Sequence, residues 1–174
     1  GAQAVEHSRA LVASNRDAFL PDLAGSLNDL GVRLGDLDQL AEALTVTREA
    51  VEHNRGLATR NPDVFLPKLV LSLSNLGIRL GSVGQKEEAL AATREAVEHA
   101  RTLVARNPDA FLPDLASSLI DLGYRFHVLG QQEKVLTVTQ ETVGCYRTLA
   151  SRSPAAFLPY LAASLDNLGS VLWD

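Results

Sequence analysis

The stretch FLPKLVLSLSNLG, residues 65–77, occurs in four versions in this chain of 174 residues, and successive versions begin 46 residues apart. The other three begin at Phe19, Phe111 and Phe157. The positions identical in all four are represented in the second copy by Phe65, Leu66, Pro67, Leu69, Ser72, Leu73, Leu76 and Gly77. Such a fixed period predicts a repeat protein, in which each unit stacks on its neighbours.

The leucines of each copy are spaced as on one face of a helix. Leu69, Leu73, Leu76 and Leu80 follow at intervals of four, three and four residues, which indicates an amphipathic helix and not a strand. We call this element helix A. Proline fits the first turn of a helix and disrupts its interior, so we expect helix A to begin near the proline of the Phe-Leu-Pro sequence in each copy, at about residue 159 in the last. The seven prolines are Pro21, Pro62, Pro67, Pro108, Pro113, Pro154 and Pro159.

A second helix follows in each copy. After the short break GSVGQ, residues 81–85, the stretch from Lys86 to Arg106 has no proline or glycine and is rich in Ala, Glu, Leu and Arg, which are good helix formers. We call it helix B. Asn107, Pro108 and Asp109 then provide the residue types of a cap and a turn. Each copy is therefore a helical hairpin, and stacking the hairpins buries the apolar faces.

The pattern of large and small residues resembles the tetratricopeptide repeat family. In the second copy, the family's large residue, Leu-Gly pair, further large residue and two small residues correspond to Leu73, Leu76, Gly77, Leu80, Ala89 and Ala96. The first copy has Leu27, Leu30, Gly31, Leu34, Ala43 and Ala50, and the third has Leu119, Leu122, Gly123, Phe126, Val135 and Thr142. The small residues, such as Gly77 and Ala89, would let helices A and B approach closely.

The repeats also depart from the usual pattern of that family. Their period of 46 residues exceeds the usual length of about 34. Arg55, Arg101 and Arg147 stand where the family has its closing proline, because helix B continues. These features resemble the long-repeat branch that includes kinesin light chains.

The repeats and the resemblance together predict an all-α fold, a right-handed α-solenoid of stacked antiparallel hairpins with about eight helices. We expect a single domain over residues 1–174: a helix B stub at 1–18, repeats at 19–64, 65–110 and 111–156, and the helix A of a fourth repeat at 157–174. The sequence has no methionine, even at position 1, so we expect a fragment of a larger protein.

Composition argues against several classes of function. The net charge is -5 and the basic residues are scattered, which is unlike a nucleic-acid-binding surface. No apolar run approaches the roughly 20 residues that cross a bilayer. Phosphate-binding loops, G-x-S-x-G, H-E-x-x-H and C-x-x-C motifs are missing. We therefore expect neither an enzyme nor a membrane or nucleic-acid partner, and the single cysteine fits a cytoplasmic location.

One column of the repeat carries possible metal ligands: His7, His53, His99 and Cys145. Their residue types would suit zinc. However, equivalent positions on stacked helices lie about 8 to 10 Å apart, whereas zinc ligands all lie about 2 Å from one ion. We expect a helix-surface column here, with no metal and no cofactor.

Candidate partner-binding residues lie on helix A, opposite its leucine stripe or in a polar column beside it. The resemblance implies that this face lines a concave groove where partners bind. The polar column includes acid-base pairs four residues apart, which could equally be intrahelical support worth about 0.3 to 0.5 kcal/mol each, and isolated apolar residues are ordinary on protein surfaces. The candidates are Leu71, Asn75, Ile78, Arg79, Ile120, Asp121, Tyr124, Arg125, Asn167 and Trp173.

These observations predict a non-catalytic protein-protein interaction scaffold that binds a peptide or protein segment in the groove of the A helices, chiefly across copies two and three. One alternative is a self-assembly module, in which the terminal helix A of one molecule meets the N-terminal helix B stub of another. A further alternative is a small-ligand sensor or enzyme that uses Tyr124, Arg125 and His127.

Overall fold

The computed structural model describes the backbone of residues 2–173 and the side chains of residues 2–12, 15 and 18–173. Over this range the chain forms eight α-helices and no strand, which confirms the predicted all-α fold of helical hairpins. The helices are α1 Ala2–Ser14, α2 Arg16–Asp36, α3 Leu40–Arg60, α4 Pro62–Ser82, α5 Lys86–Arg106, α6 Pro108–Val128, α7 Gln132–Arg152 and α8 Pro154–Trp173. Helices α2, α4, α6 and α8 are the A helices, and the others are the B helices.

The chain forms two compact units, Gly1–Ala92 and Thr93–Asp174. In the first unit, α1 packs on α2, α2 on α3 and α3 on α4, and α2 also contacts α4. In the second unit, α6 packs on α7 and α7 on α8. The expected single domain with its repeat boundaries stays a prediction.

Single residues connect each helix B to the next helix A. Asn15, Asn61, Asn107 and Ser153 all have φ between -139° and -152° and ψ between 73° and 92°. Two of them also cap the following helix: the Oδ1 atoms of Asn15 and Asn107 accept hydrogen bonds from backbone N–H groups three residues ahead, at 3.4 and 3.3 Å. Such caps satisfy donors that a helix end leaves unpaired.

The predicted start of helix A is wrong by about five residues. Helices α4, α6 and α8 begin at the first proline of each copy, Pro62, Pro108 and Pro154, and the second proline lies inside the helix. Pro67, for example, is the sixth residue of α4. Because proline has no N–H, it removes one hydrogen bond near the helix start, where a lost bond disrupts fewer neighbouring bonds than in the helix interior. The helix begins directly after the asparagine or serine, whose extended backbone separates it from the preceding helix B.

Three-residue connections join helix A to helix B, and each contains one residue with positive φ: Asp38 at 58°, Gly84 at 80° and Gly130 at 68°. The next residue then donates its backbone N–H to a carbonyl five residues earlier, at 2.9 Å in all three copies. This left-handed ending is typical of helix C-termini. It explains the glycines at two of the three breaks.

Helix α4 is the one described helix that is long and apolar enough to cross a membrane. Its apolar character has an explanation within the fold, because Leu66, Leu69, Leu73 and Leu80 are buried. Leu80 belongs to a core cluster with Ala89 and Ala92 of α5. The leucines of α4 thus supply part of the core of the first unit.

Helices A and B approach most closely at the glycine column of the repeat. A Cβ atom on Gly31 would overlap Oγ1 of Thr47, which donates a hydrogen bond to the Ala43 carbonyl at 2.7 Å. A Cβ on the equivalent Gly123 would lie 3.2 Å from Cγ2 of Val138. The small residues of the repeat pattern therefore permit helix contact, as the sequence predicted.

Gly31→Ala should lower the free energy of unfolding by about 1 to 3 kcal/mol, since overpacking at the helix contact outweighs the better helix propensity of alanine. The matched control is Gly25→Ala on the same helix, where a Cβ would meet no heavy atom within 4 Å. The control should raise stability by up to about 1 kcal/mol. Urea denaturation measures both. Similar effects of the two substitutions would show that the contact at Gly31 is not a constraint.

Candidate functional site

In the first unit, side chains of α4 reach across to α2 at two places. The Nδ2 atom of Asn75 donates a hydrogen bond to Oδ1 of Asn28 at 2.9 Å. The guanidinium of Arg79 lies against Gly35, where a Cβ atom would overlap its Nη1 and Cζ atoms. Glycine at position 35 therefore makes room for the arginine. These two contacts bridge the A helices of this unit.

In the second unit, the corresponding A helices flank a cavity of about 380 Å³. Helix α6 contributes Ile120, Tyr124 and His127, and α8 contributes Tyr160, Asn167 and Val171, with α7 side chains behind them. The rings of Tyr146 and Tyr160 stack, with centroids 5.6 Å apart and planes at 15°. The ring of Tyr124 is exposed. The cavity thus offers aromatic faces at a position that reaches solvent.

A comparison of equivalent repeat positions in the two units explains why this space is open. Two repeats further along the chain, Ile120 and Asn167 take the places of Asn28 and Asn75, and isoleucine cannot accept the hydrogen bond. His127 and Val171 likewise replace Gly35 and Arg79, so no guanidinium extends from α8. All four of these replacing residues line the cavity. The cavity therefore lies where the residues that bridge the A helices of the first unit have been replaced.

The structure separates the predicted site residues into three groups. The apolar candidates Leu71, Ile78, Ile120 and Tyr124 are exposed, and Trp173 is 92% exposed at the end of α8. Asn75 and Arg79 contact α2 in the first unit. Three predicted residues, Ile120, Tyr124 and Asn167, come together around the cavity.

Arg125 and Asp121 lie on the same helix as Tyr124 but are not among the residues that line the cavity. Only 9% of Arg125 is exposed, and its guanidinium lies over the Tyr124 ring, 5.0 Å from the centroid. Burial raises the pKa of Asp121, and the nearby positive charge of Arg125 partly offsets this rise. Arg125 thus supports Tyr124 from the side instead of extending into solvent.

The side chains of α7 and most of those of α8 that line the cavity were not among the predicted site residues. Copies two and three were expected to form the site, whereas the cavity lies between the A helices of copies three and four. A comparison of columns gives the missing signal. Where α4 has Leu71, Ile78 and Arg79, α8 has smaller residues at the equivalent positions, namely Ala163, Ser170 and Val171. Such a change to small side chains leaves space between neighbouring helices.

The B helices carry ion pairs between successive repeats. Arg9 pairs with Glu49 at 2.6 Å, Arg48 with Glu88 at 2.9 Å, and Arg101 with Glu141 at 2.8 Å. Each pair links residues 40 apart and is partly exposed, so we expect at most about 1 kcal/mol from each. These contacts hold helix B to helix B and differ in kind from the aromatic cavity.

The column of possible metal ligands lies on these B helices. His53 and His99 lie 3.7 and 3.8 Å from the carboxylates of Glu49 and Glu95, one turn earlier. Cys145 is buried. Within the part of the chain that the structure describes, no group of three or more His, Cys, Asp or Glu residues is placed to hold a metal ion.

Cys145 should react slowly with iodoacetamide in the native protein. Burial raises the pKa of its thiol, and the negative charge of Glu141 raises it further, so less of the reactive thiolate is present at neutral pH. We expect alkylation to be at least about tenfold faster in denaturant, where the thiol is exposed and its pKa returns to about 8.5. Mass spectrometry follows the reaction at the chain's single cysteine. Equal rates in both conditions would contradict this placement.

Comparison with known proteins agrees with these observations. Residues 23–52 match the family model of the tetratricopeptide repeat. The chain has the fold of tetratricopeptide repeats. The crystal structure of BtubC (BKLC) from P. vanneervenii superposes with a TM-score of 0.71 at 19% identity, covering 99% of this chain and 63% of that one. This chain therefore spans less than two thirds of BtubC.

A protein of Podosopora anserina that is named as a kinesin light chain, with nearly identical TPR-like repeats, superposes with a TM-score of 0.66 at 19% identity. The match covers 97% of this chain and 76% of that one, and a variant of the same protein gives the same values. The predicted resemblance to long tetratricopeptide repeats is confirmed at the level of fold. No curated protein matches the sequence. Tetratricopeptide repeats generally serve as protein-protein interaction modules.

Proposed function

We propose that this chain is a non-catalytic, cytoplasmic interaction module that binds an extended peptide segment of another protein on its A helices, with the cavity between α6 and α8 as the main site. The observation that carries the proposal is this cavity, which combines the exposed ring of Tyr124 with the stacked rings of Tyr146 and Tyr160. Aromatic side chains dominate the binding energy of many interfaces.

The composition of the cavity supports binding rather than catalysis. Its volume of about 380 Å³ is at the lower end of the range of pockets that bind small molecules. Its lining contains one histidine, His127, and no carboxylate. Its other titratable side chains are those of three tyrosines, and burial raises the pKa of Tyr146 further from neutral pH. The lining instead provides ring faces, hydroxyl groups and the amide of Asn167, which suit side-chain recognition.

A displayed library of random peptides tests the proposal. The wild-type chain should enrich peptides, and replacing both rings in Tyr124→Ala/Tyr160→Ala should weaken binding of the enriched peptides by at least about 30-fold, the factor expected from losing a single anchor of about 2 kcal/mol. The matched control is Arg48→Ala on the B-helix face, which should retain their affinity. Circular dichroism checks that all variants remain helical. No enrichment, or binding lost only in Arg48→Ala, would contradict the proposal.

A second candidate function, self-association, is favoured by the outer face of α8. Leu165 is 40% exposed, whereas its equivalent Leu119 on α6 is 0% exposed. Leu158 and Leu172 are also exposed. The α6 face is covered because α6 packs on α7, a helix B. Helix α1 is of the B type, so a second copy could cover the face of α8 with its own α1, in a head-to-tail contact that does not close by twofold symmetry.

Analytical ultracentrifugation at increasing concentration tests this candidate. The wild-type chain should form oligomers, and Leu165→Glu/Leu168→Glu should shift it to monomer because it places charge in the apolar contact. Ser170→Glu adds a charge on the cavity side of α8 and should leave association unchanged. A wild-type chain that remains monomeric at all concentrations would rule out this function.

A further inference from the structure

We propose that the cavity between α6 and α8 is a socket for an arginine side chain of the bound peptide. This inference rests on the proposed peptide-binding function and specifies the chemistry of the partner. The A-helix pair α2 and α4 of the first unit and the pair α6 and α8 of the second share one repeat pattern. They differ in what fills the space between the two helices.

The first step is the contact that the chain makes with itself in the first unit. Arg79 extends from α4 and places its guanidinium on the backbone of α2 at Gly35. Its Nε atom is buried. Space between two A helices of this repeat type therefore accommodates a long side chain with a planar cationic end.

The second step is the absence of that side chain at the equivalent place in the second unit. The position of Arg79 is occupied by Val171 and that of Gly35 by His127. Both line the cavity, so the space that an arginine would cross is the space that is open. An arginine from a peptide can enter it from the solvent side, where Tyr124 is exposed.

The third step is the chemistry of the lining. A guanidinium stacks on aromatic faces and carries five N–H donors, whereas an ammonium is a compact, strongly hydrated charge. Arginine already lies over tyrosine beside the cavity, in the contact of Arg125 with Tyr124. Asn167, Thr139 and Ser170 line the cavity, and an amide or hydroxyl oxygen can accept hydrogen bonds. The net charge of -5 also favours a cationic ligand.

The test uses blocked five-residue peptides, Ala-Ala-Xaa-Ala-Ala, with arginine, citrulline, lysine or leucine in the centre. Chemical shift changes in the ¹⁵N-labelled protein give the affinities. The arginine peptide should bind at least about tenfold more tightly than the neutral citrulline peptide, because only the former has a cation to stack on the rings. Its guanidinium-side methylene protons should show nuclear Overhauser effects to the rings of Tyr124 or Tyr160.

A variant that fills the socket provides the second arm. Val171→Arg should place the chain's own guanidinium in the cavity, beside His127, and weaken the arginine peptide by at least about tenfold, because the chain's own arginine then competes for the space. Thr102→Arg adds the same charge on the exposed face of α5 and should not weaken it. If Val171→Arg loses helicity, His127→Gly/Val171→Arg recreates the full pair found at Gly35 and Arg79 and takes its place.

The outcomes separate this inference from the function on which it rests. One contrary result is that the leucine or citrulline peptide binds as tightly as the arginine peptide and binds more weakly to Val171→Arg. This result would overturn the arginine socket but retain the peptide-binding site. Arginine binding that Val171→Arg leaves unchanged would also overturn it. If neither the arginine peptide nor any library peptide binds, both the socket and the proposed function are wrong.

Discussion

The close contact of helix A with helix B at the glycine column is the constraint on which the rest of the structure depends. At Gly31 the backbone of α2 lies against the Thr47 hydroxyl and the Ala43 carbonyl of α3. Only helices that approach this closely can bury leucines such as Leu27 completely, because side chains must fill the space between them without voids. Gly123 makes the same demand in the second unit, where a Cβ would lie 3.2 Å from Val138, so the hairpin geometry recurs with the sequence period.

Because the hairpins are alike, differences of function arise at positions that the repeat leaves free. The two A-helix pairs show this. Asn28 with Asn75, and Gly35 with Arg79, connect α2 to α4. The substituted pair of α6 and α8 leaves a cavity of about 380 Å³ at the same place. Helix A packs on helix B in both units. The scaffold is therefore the same, whereas neighbouring A helices are bridged by side chains in the first unit and flank a cavity in the second.

The sequence predicted the helical hairpins, their order and the close contact of helices, because these depend on residues that recur in every copy. It misplaced the start of helix A, since the rule that proline begins a helix does not say which of two prolines does so. In the structure the helix begins at the first proline, directly after Asn61 and its equivalents. Its candidates included Ile120, Tyr124 and Asn167, which line the cavity, but not Tyr146 or the small residues of α8. A wheel drawn for one helix shows which side chains face outward, whereas a cavity depends on which residues two helices place opposite each other.

The supports around the cavity bear on how strongly it can bind. Tyr124 is held by the buried Arg125 on one side, and Tyr160 is held by its stack with Tyr146. A ring fixed before binding loses less conformational freedom when a partner arrives, and less of the contact energy is then spent on ordering. Arg125 therefore contributes to recognition without lining the cavity, because removing it would leave Tyr124 free to move and Asp121 without a nearby positive charge. The strength of this site thus depends on buried neighbours as much as on the rings that a partner touches.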